Sequence, residues 1–385
     1  MDALEIASGL DAITRLRPLW MDAESRAQVG AFEKFELVVA AAELAERQGS
    51  EPLVAVVRRD CSTSLMLPLR RERLLGARTA VPLVHPLSQY TDVVGGALEA
   101  DELIRICNAL RRRGIDLILL RKVRQDGGLH MALARHGTSQ SARETSHYID
   151  LAGYGAFAAY EASFSSRTRR NRRQRLQRFE AQAGPLSFEV LRGAEAATAF
   201  DTAVRWKRDW LTQRGVSSPV FNGGEWERIL RGAVLAGSTI VTALKAGQAL
   251  IGVEMGFANR SDYMAYLGAY DETYSSLSPG QEQMLRTIAW CFEQGFRRYD
   301  LLAPSDDYKR HWTRANTGVE IDDYALALTR VGRGVAEVRR RVRPLARDFY
   351  HWLTPEMRVA GGRYGVPAAA AVAAATASAL ISSIE

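Results

Sequence analysis

The sequence contains little cysteine and no common metal-binding spacing. Its three cysteines, Cys61, Cys107 and Cys291, stand far apart in a chain of 385 residues and form no CxxC pair. The six histidines form no HExxH motif and no cluster with cysteine. This composition excludes a disulfide framework, predicts no metal site, and is typical of buried thiols in a reducing compartment. A chain of this length predicts two domains with extensions.

The beginning of the chain lacks a basic segment followed by a continuous apolar run, so it does not resemble a secretory signal. Residues 366–384 are uncharged, but alanine, serine and threonine dominate them. Because alanine partitions only weakly into a bilayer, we expect a frayed, Ala-rich tail there rather than a membrane anchor. We therefore predict a cytoplasmic protein, with peripheral contact to the inner membrane as an alternative.

Positive charge is concentrated in two segments. Residues 165–178 carry +7, all of it from arginine, and residues 330–363 carry +6, although the whole chain sums to only +7. The remainder is slightly acidic, which argues against a surface that coats nucleic acid uniformly. Apolar residues recur at spacings of four and three over 331–352, which predicts an amphipathic helix. This helix either docks on its own chain, forms an oligomer contact, or meets anionic lipid.

Both halves of the chain repeat one order of predicted elements, namely a strand pair, a helix and a further strand. In the first half these are the strands 52–59, 63–72 and 115–123 with a helix that ends at Gly114, and in the second half the strands 238–247, 248–257, 261–270 and 296–303 with a helix over 279–295.

A basic helix is predicted between the halves, from about Arg167 to Ala183, capped by Ser165 or Ser166 and ended by Gly184. The predicted organisation therefore has five parts: an N-terminal domain (1–150), a basic connecting helix (151–184), a C-terminal domain (185–330), a basic helical extension (331–365) and a flexible tail (366–385).

Ser278, Pro279 and Gly280 open the helix of the second half. Proline suits the first helical turn because its missing N–H would be unpaired there. Glycine permits close approach of a ligand. The first amides of the helix can therefore meet an anion at the positive end of the helix dipole, although many helices begin in this way without binding anything.

Several short motifs surround this helix: G-A-Y-D at Gly268–Asp271, S-P-G at Ser278–Gly280, Y-D at Tyr299 and Asp300, and Y-K-x-x-W from Tyr308 to Trp312. With them the chain resembles the GNAT acyltransferase superfamily, and in particular its CelD-like branch of cellulose and exopolysaccharide synthesis, which is related to the Fem aminoacyl transferases. In place of the usual pyrophosphate loop it has SLSPGQ. The resemblance implies tandem GNAT-like domains of the α/β (α+β) class, with mixed central sheets flanked by helices.

The resemblance also implies acetyl-CoA or another acyl-CoA as co-substrate, with no metal, and its binding at Ser278, Gly280, Gln281 and Gln283. Glu254 alternates with two glycines along a strand and is the first candidate for the base, although it is equally a solvent-facing strand residue. Asp300, Tyr308 and Lys309 complete the predicted catalytic set. Asp300 and Lys309 alternatively form a buried structural pair. The predicted substrate-binding residues are Lys207, Trp210, Asp271 and Trp312.

The expected reaction is acyl transfer from acyl-CoA to an amine or hydroxyl, with a saccharide or polysaccharide-related acceptor. The alternatives are a Fem-type transferase that uses aminoacyl-tRNA, and a non-catalytic scaffold of a polysaccharide synthase complex. Nucleic-acid modules normally interleave aromatic residues with basic ones, and the arginine-rich helix has none before Phe179. We therefore interpret it as a partner for phosphate groups at the mouth of the donor site. A solvated linker helix and a tRNA contact are the alternatives.

Overall fold

The computed structural model describes residues 3–26, 29–59, 64–140, 144–216, 218–314 and 317–352, with the backbone alone beyond residue 342. Cys61 and the tail 366–385 lie outside these ranges. The strands are β1 (Ala3–Ser8), β2 (Glu51–Arg58), β3 (Ser64–Leu74), β4 (Ala77–Pro82), β5 (Leu117–Arg124), β6 (Thr138–Ser139), β7 (Glu144–Asp150), β8 (Leu186–Leu191), β9 (Thr239–Ala246), β10 (Ala249–Ala258), β11 (Asp262–Tyr270), β12 (Arg298–Asp300) and β13 (Gly318–Ala327).

Helices cover both faces of the sheet. They are α1 (Leu10–Thr14), α2 (Arg17–Ser25), α3 (Phe35–Arg47), α4 (Ala100–Arg112), α5 (His130–His136), α6 (Leu151–Tyr154), α7 (Phe157–Ala162), α8 (Ser166–Ala183), α9 (Gly193–Gln213), α10 (Glu225–Leu235), α11 (Pro279–Glu293), α12 (Asp307–Thr313) and α13 (Arg330–Trp352), with one 3₁₀ helix, Glu272–Leu277.

All the described strands form one sheet, in the order β1-β2-β3-β4-β5-β13-β7-β12-β11-β10-β9-β8, and β6 pairs with β13. Most neighbours are antiparallel, whereas β4 with β5 and β11 with β12 are parallel. The mixed sheet flanked by helices, with one order of elements in each half, confirms the predicted fold class.

The two halves exchange their last strands. β7 closes the first half in sequence but pairs with β12 of the second half, and β13 closes the second half but pairs with β5 of the first. β7 and β13 also pair with each other. The junction between the halves is therefore a continuous hydrogen-bonded ladder, and neither predicted domain keeps its own terminal strand.

The connecting helix α8 agrees with the sequence expectation at both ends. The Ser165 hydroxyl accepts a hydrogen bond from the Thr168 amide, and Gly184 ends the helix with a positive φ. Phe179 is buried between β9, β10 and the 3₁₀ helix, where its ring stacks on that of Tyr274. The extension α13 begins on the body of its own chain, because Val335 and Ala336 pack against β4, β5 and β13.

Strand β12 is shorter than the predicted strand 296–303. It pairs with β11 over only three residues, from Asp262↔Arg298 to Met264↔Asp300. The chain then turns away, because the Leu302 and Pro304 carbonyls accept hydrogen bonds from the Lys309 ammonium rather than from a neighbouring strand. β11 runs on to Tyr270, so the two strands diverge and open a gap in the sheet.

Candidate functional site

A cavity of about 680 Å³ occupies this gap between β11 and β12. Nine of the twelve site residues predicted from the sequence line it: Lys207, Glu254, Ser278, Gly280, Gln281, Gln283, Tyr308, Lys309 and Trp312. The structure thus brings together residues from β10, α9, α11 and α12. The three others, Trp210, Asp271 and Asp300, do not line it.

Glu254 is a buried carboxyl group in the cavity wall, with 4% of its surface exposed. Its Oε1 accepts hydrogen bonds from the Tyr299 hydroxyl at 2.7 Å and from the Tyr263 hydroxyl at 3.0 Å. Burial raises the pKa of Glu254 to about 7, although the two phenols oppose the rise. A carboxyl group that titrates near neutrality can both accept and release a proton at physiological pH.

The two glycines that alternate with Glu254 leave no open space beside it. A Cβ atom on Gly256 would lie 2.3 Å from Cζ of Tyr263, so the ring fills the space that this glycine leaves. Gly252 faces Gln283 on the other side. The glycines therefore admit the groups that pack around Glu254, and the solvent-facing alternative is wrong because both sides are occupied.

Asp300 lies behind the cavity rather than on its wall, and it is 2% exposed. Its carboxylate accepts hydrogen bonds from Arg124 at 2.7 Å, from Tyr90 at 2.9 Å and from Ser146 at 3.0 Å. The suggested pair with Lys309 is wrong, because Arg124 on β5 is the cation that meets this carboxylate. Asp300 thereby links the two halves of the chain.

Tyr308 and Lys309 sit on the first turn of α12. The Tyr308 side chain is 53% exposed, and burial of its hydroxyl with Asp306 and Glu254 nearby raises its pKa to about 12. It therefore stays protonated at neutral pH. The Lys309 ammonium holds the loop after β12 through the carbonyls of Leu302 and Pro304, at 2.9 and 2.8 Å. This is a structural contact at the cavity wall.

The first turn of α11 borders the same cavity. Ser278 precedes it in the left-handed region, with φ 56°. A Cβ atom on Gly280 would lie 3.2 Å from the Tyr270 ring, so this position is close to its neighbour even before a ligand arrives. Gln281 is exposed, whereas Gln283 is buried and donates to the Thr242 hydroxyl at 2.8 Å. The side-chain oxygen of Gln283, Oε1, is buried and has no hydrogen-bond partner among the described residues.

The predicted substrate-binding residues have different surroundings. The Lys207 ammonium lies 4.2 Å from the centre of the Trp210 ring, and Trp210 is itself partly packed against the main core. Asp271 caps the 3₁₀ helix by accepting from the Thr273 amide and hydroxyl. Trp312 is buried in the cluster of aromatic residues around Tyr160 and Phe164. Asp271 and Trp210 therefore have structural contacts outside the cavity.

Helix α8 joins two borders of the cavity. Near its start, the Arg172 guanidinium lies 3.9 Å from the centre of the Phe164 ring and 4.5 Å from that of Trp312. Near its end, Phe179 stacks on Tyr274 of the 3₁₀ helix. Arg172 is the buried member of the arginine run, whereas Arg167, Arg170, Arg173 and Arg178 are exposed. No α8 residue lines the cavity itself.

Sequence reasoning missed the residues that surround the two carboxylates. Tyr263 could have been found, because it stands in the same apolar strand as Leu267 and Ala269, but nothing in the pattern ties it to Glu254. Tyr90, Arg124 and Ser146 belong to the first half, and no local signal links them to Asp300. Gln89, which lines the cavity from the first half, carries no motif.

Among residues 3–352, apart from the short undescribed gaps, no group of three potential metal ligands comes together. Within the same part of the chain, no helix has the length and apolar content that a membrane crossing needs.

One family model matches part of this chain. Residues 166–310 match the family model of the acetyltransferase (GNAT) domain. These residues include α11, the start of α12 and most of the cavity lining, whereas Gln89 lies outside them. This segment is therefore similar to the GNAT acetyltransferase domain, as the sequence resemblance implied at the level of the superfamily. A search of curated proteins finds no match.

Three solved structures share the fold. FemX is 11% identical, covers 78% of this chain and 93% of its own, and superposes with a TM-score of 0.57. The C-terminal domain of a putative lysylphosphatidylglycerol synthetase from Agrobacterium fabrum is 13% identical, with coverages of 84% and 94% and a TM-score of 0.54. A conserved protein of unknown function from Bacteroides thetaiotaomicron is 10% identical, with coverages of 82% and 97% and a TM-score of 0.52. At these identities the likeness shows the fold alone.

Proposed function

We propose that this protein transfers an acyl group from acyl-CoA to an amine or hydroxyl acceptor, with Glu254 as the general base. The observation that carries the proposal is a carboxyl group with a pKa of about 7 in the wall of the cavity between the diverging strands. A base whose pKa lies near the operating pH accepts a proton efficiently and releases it again after turnover.

The remaining cavity residues support the other parts of the reaction. At the start of α11 the Gly280 amide is offered to the donor phosphates, whereas the Ser278 and Gln281 amides donate to the Ser275 and Ser278 carbonyls. When the acceptor attacks the thioester, a C–N or C–O bond forms, the C–S bond breaks, and the acceptor proton passes to Glu254. Tyr308, which remains protonated, gives its proton to the leaving thiolate. Holding both reactants in one cavity supplies much of the rate enhancement.

Calorimetry with CoA and acetyl-CoA tests the donor directly. We expect binding at micromolar to millimolar concentrations, and no heat of binding at millimolar ligand would exclude acyl-CoA as the donor.

Release of thiol from acetyl-CoA with a panel of amines and alcohols then tests the transfer. Glu254→Gln should lower kcat/KM by about 10²–10⁴-fold, whereas Glu189→Gln on β8, which is far from the cavity, should not.

A second donor, aminoacyl-tRNA, is favoured by one observation. The outward arginines of α8 meet no carboxylate among the described residues, and α8 borders the cavity through Arg172 and Trp312. If tRNA is the donor partner, binding should weaken steeply with salt, and Arg170→Gln with Arg173→Gln should reduce that salt dependence. A saccharide acceptor, a polysaccharide synthase partner and peripheral membrane contact through 331–352 rest on the sequence alone.

A further inference from the structure

One end of the cavity is built by the first half of the chain. Gln89, in the loop that follows β4, lines the cavity, as Lys207 and Tyr266 do. The Tyr266 hydroxyl donates to the Leu87 carbonyl at 2.9 Å, which fixes the loop against β11. The second half therefore does not enclose the cavity by itself.

Lys122 sets the orientation of Gln89. Its ammonium donates to the Gln89 side-chain oxygen at 2.5 Å. Because an ammonium group only donates, the amide oxygen must face Lys122, and the NH₂ group faces the other way. Lys122 also has φ 55°, a conformation that residues with a side chain rarely adopt, and its amide donates to the Asp323 carboxylate at 2.8 Å. Backbone strain of this kind persists where neighbours enforce it and concentrates at functional sites.

The charges that line the cavity are unbalanced. Lys207 and Lys309 are the cations and Glu254 is the only acid. The Lys309 ammonium is held by two backbone carbonyls. The Lys207 ammonium, in contrast, has no hydrogen bond or ion pair with any described residue, and it lies over the Trp210 ring, which the Arg214 guanidinium also contacts. A partly buried cation without a counter-ion attracts an anionic ligand.

This end of the cavity is distant from the start of α11. Gly280 lies against Tyr270, whereas Gln89 follows Leu87, whose carbonyl accepts a hydrogen bond from the Tyr266 hydroxyl. Tyr266 and Tyr270 are four residues apart on β11, which corresponds to about 13 Å along a strand. An anion at Gln89 is therefore not the donor phosphate that α11 would hold.

We infer that the end of the cavity between Lys207 and Gln89 is a subsite for an oxyanion, phosphate or carboxylate, carried by the acceptor. Lys207 supplies the charge, the Gln89 amide donates a directed hydrogen bond, and Lys122 is a positioning residue that holds Gln89. The inference rests on the proposed function, since it names the class of acceptor for the same cavity.

Matched acceptor pairs test it. Thiol release from acetyl-CoA is measured with glucosamine against glucosamine 6-phosphate, and with ethanolamine against phosphoethanolamine. We expect KM for the anionic member of each pair to be lower by about tenfold or more. A hydrogen bond to a charged group contributes a binding free energy of this size. Lys207→Met should abolish the difference, Gln89→Ala and Lys122→Met should reduce it, and KM for acetyl-CoA should stay unchanged. Arg205→Gln removes an exposed charge from the same helix and should leave the difference intact.

Equal KM values within each pair overturn the inference. An increase in KM for acetyl-CoA in Lys207→Met overturns it too, because the cation would then serve the donor phosphates. If neither acceptor of any pair is acylated, the test is calorimetry of inorganic phosphate with the CoA-saturated protein. Phosphate binding that is lost in Lys207→Met and kept in Arg205→Gln supports the subsite. No phosphate binding up to about 10 mM overturns it. If CoA itself fails to bind, the proposed function fails, and the same phosphate titration on the free protein still decides the subsite.

Discussion

Glu254 and Asp300 are two buried carboxyl groups on strands of one sheet, separated by β11, and their surroundings differ. Glu254 meets two tyrosine hydroxyls and no cation among the described residues. Asp300 meets a guanidinium, two hydroxyls and the Leu302 amide. Burial is nearly the same for both. The partners therefore decide the role: Glu254 is suited to exchange a proton, and Asp300 is suited to hold the two halves together.

The largest effect on stability is expected from Asp300→Asn. The change leaves Arg124, whose side chain is 14% exposed, without its carboxylate on β12, although Asp126 still meets this arginine. Because a buried charge that loses its partner is costly, we expect a loss of about 3 kcal/mol in the free energy of unfolding, measured with urea. Asp201→Asn breaks the exposed pair with Arg231 and should change stability far less, because solvent screens this pair. A loss below about 1 kcal/mol for Asp300→Asn would contradict the role given to Asp300.

Glu254→Gln should alter how stability depends on pH. The pKa of Glu254 is about 7 in the folded protein and 4.5 ordinarily, so the folded state keeps a proton that the unfolded state releases between these values. The stabilisation is fully present below about pH 4.5 and is lost as pH rises through 7, by about 3 kcal/mol in total. The free energy of unfolding of the glutamine variant does not decrease in this way, because glutamine does not ionise. Its stability relative to the native protein should therefore increase from pH 4.5 to 7.5 in urea unfolding, and a difference independent of pH would refute the raised pKa.

Tyr299→Phe should move the pH profile of activity. It removes the 2.7 Å hydrogen bond that stabilises the Glu254 carboxylate, so the pKa of Glu254 should rise further. We expect the rising limb of kcat/KM against pH to shift upward by about one pH unit. Tyr274→Phe, whose ring stacks on Phe179 at a distance from Glu254, is the control and should leave the limb in place.

The sequence was sufficient for the local parts of this site. Alternation with Gly252 and Gly256 singled out Glu254, and Ser278-Pro279-Gly280 placed the start of α11 at the residue where the structure has it. Both features are encoded within a few residues of the chain. The predicted strands β2, β3, β5, β9, β10 and β11 also agree within a few residues.

The parts that failed depend on contacts between distant segments. The exchange of β7 and β13 follows from pairing between segments that are at least 148 residues apart, for which periodicity carries no signal. The partners of Asp300 come from β5, β7 and a loop of the first half. The sequence of the arginine run also does not predict that Arg172 is its buried member. Arg172 differs from its neighbours through its contacts with the Phe164 and Trp312 rings.

Ser146→Ala is the smallest change and the closest counterpart of Tyr299→Phe, since each removes one hydroxyl donor from one of the two carboxylates. The Ser146 hydroxyl lies 3.0 Å from Asp300 Oδ1 and 2.5 Å from the Tyr90 hydroxyl. We expect a loss of about 1 kcal/mol in urea unfolding and no shift in the pH profile of kcat/KM, because Asp300 does not line the cavity. In the double mutant, the changes that Ser146→Ala and Tyr299→Phe cause in the free energy of unfolding should be additive. A shift of the pH profile in Ser146→Ala would mean that the contacts of Asp300 act on Glu254, and the distinction between a proton carrier and a structural anion would then fail.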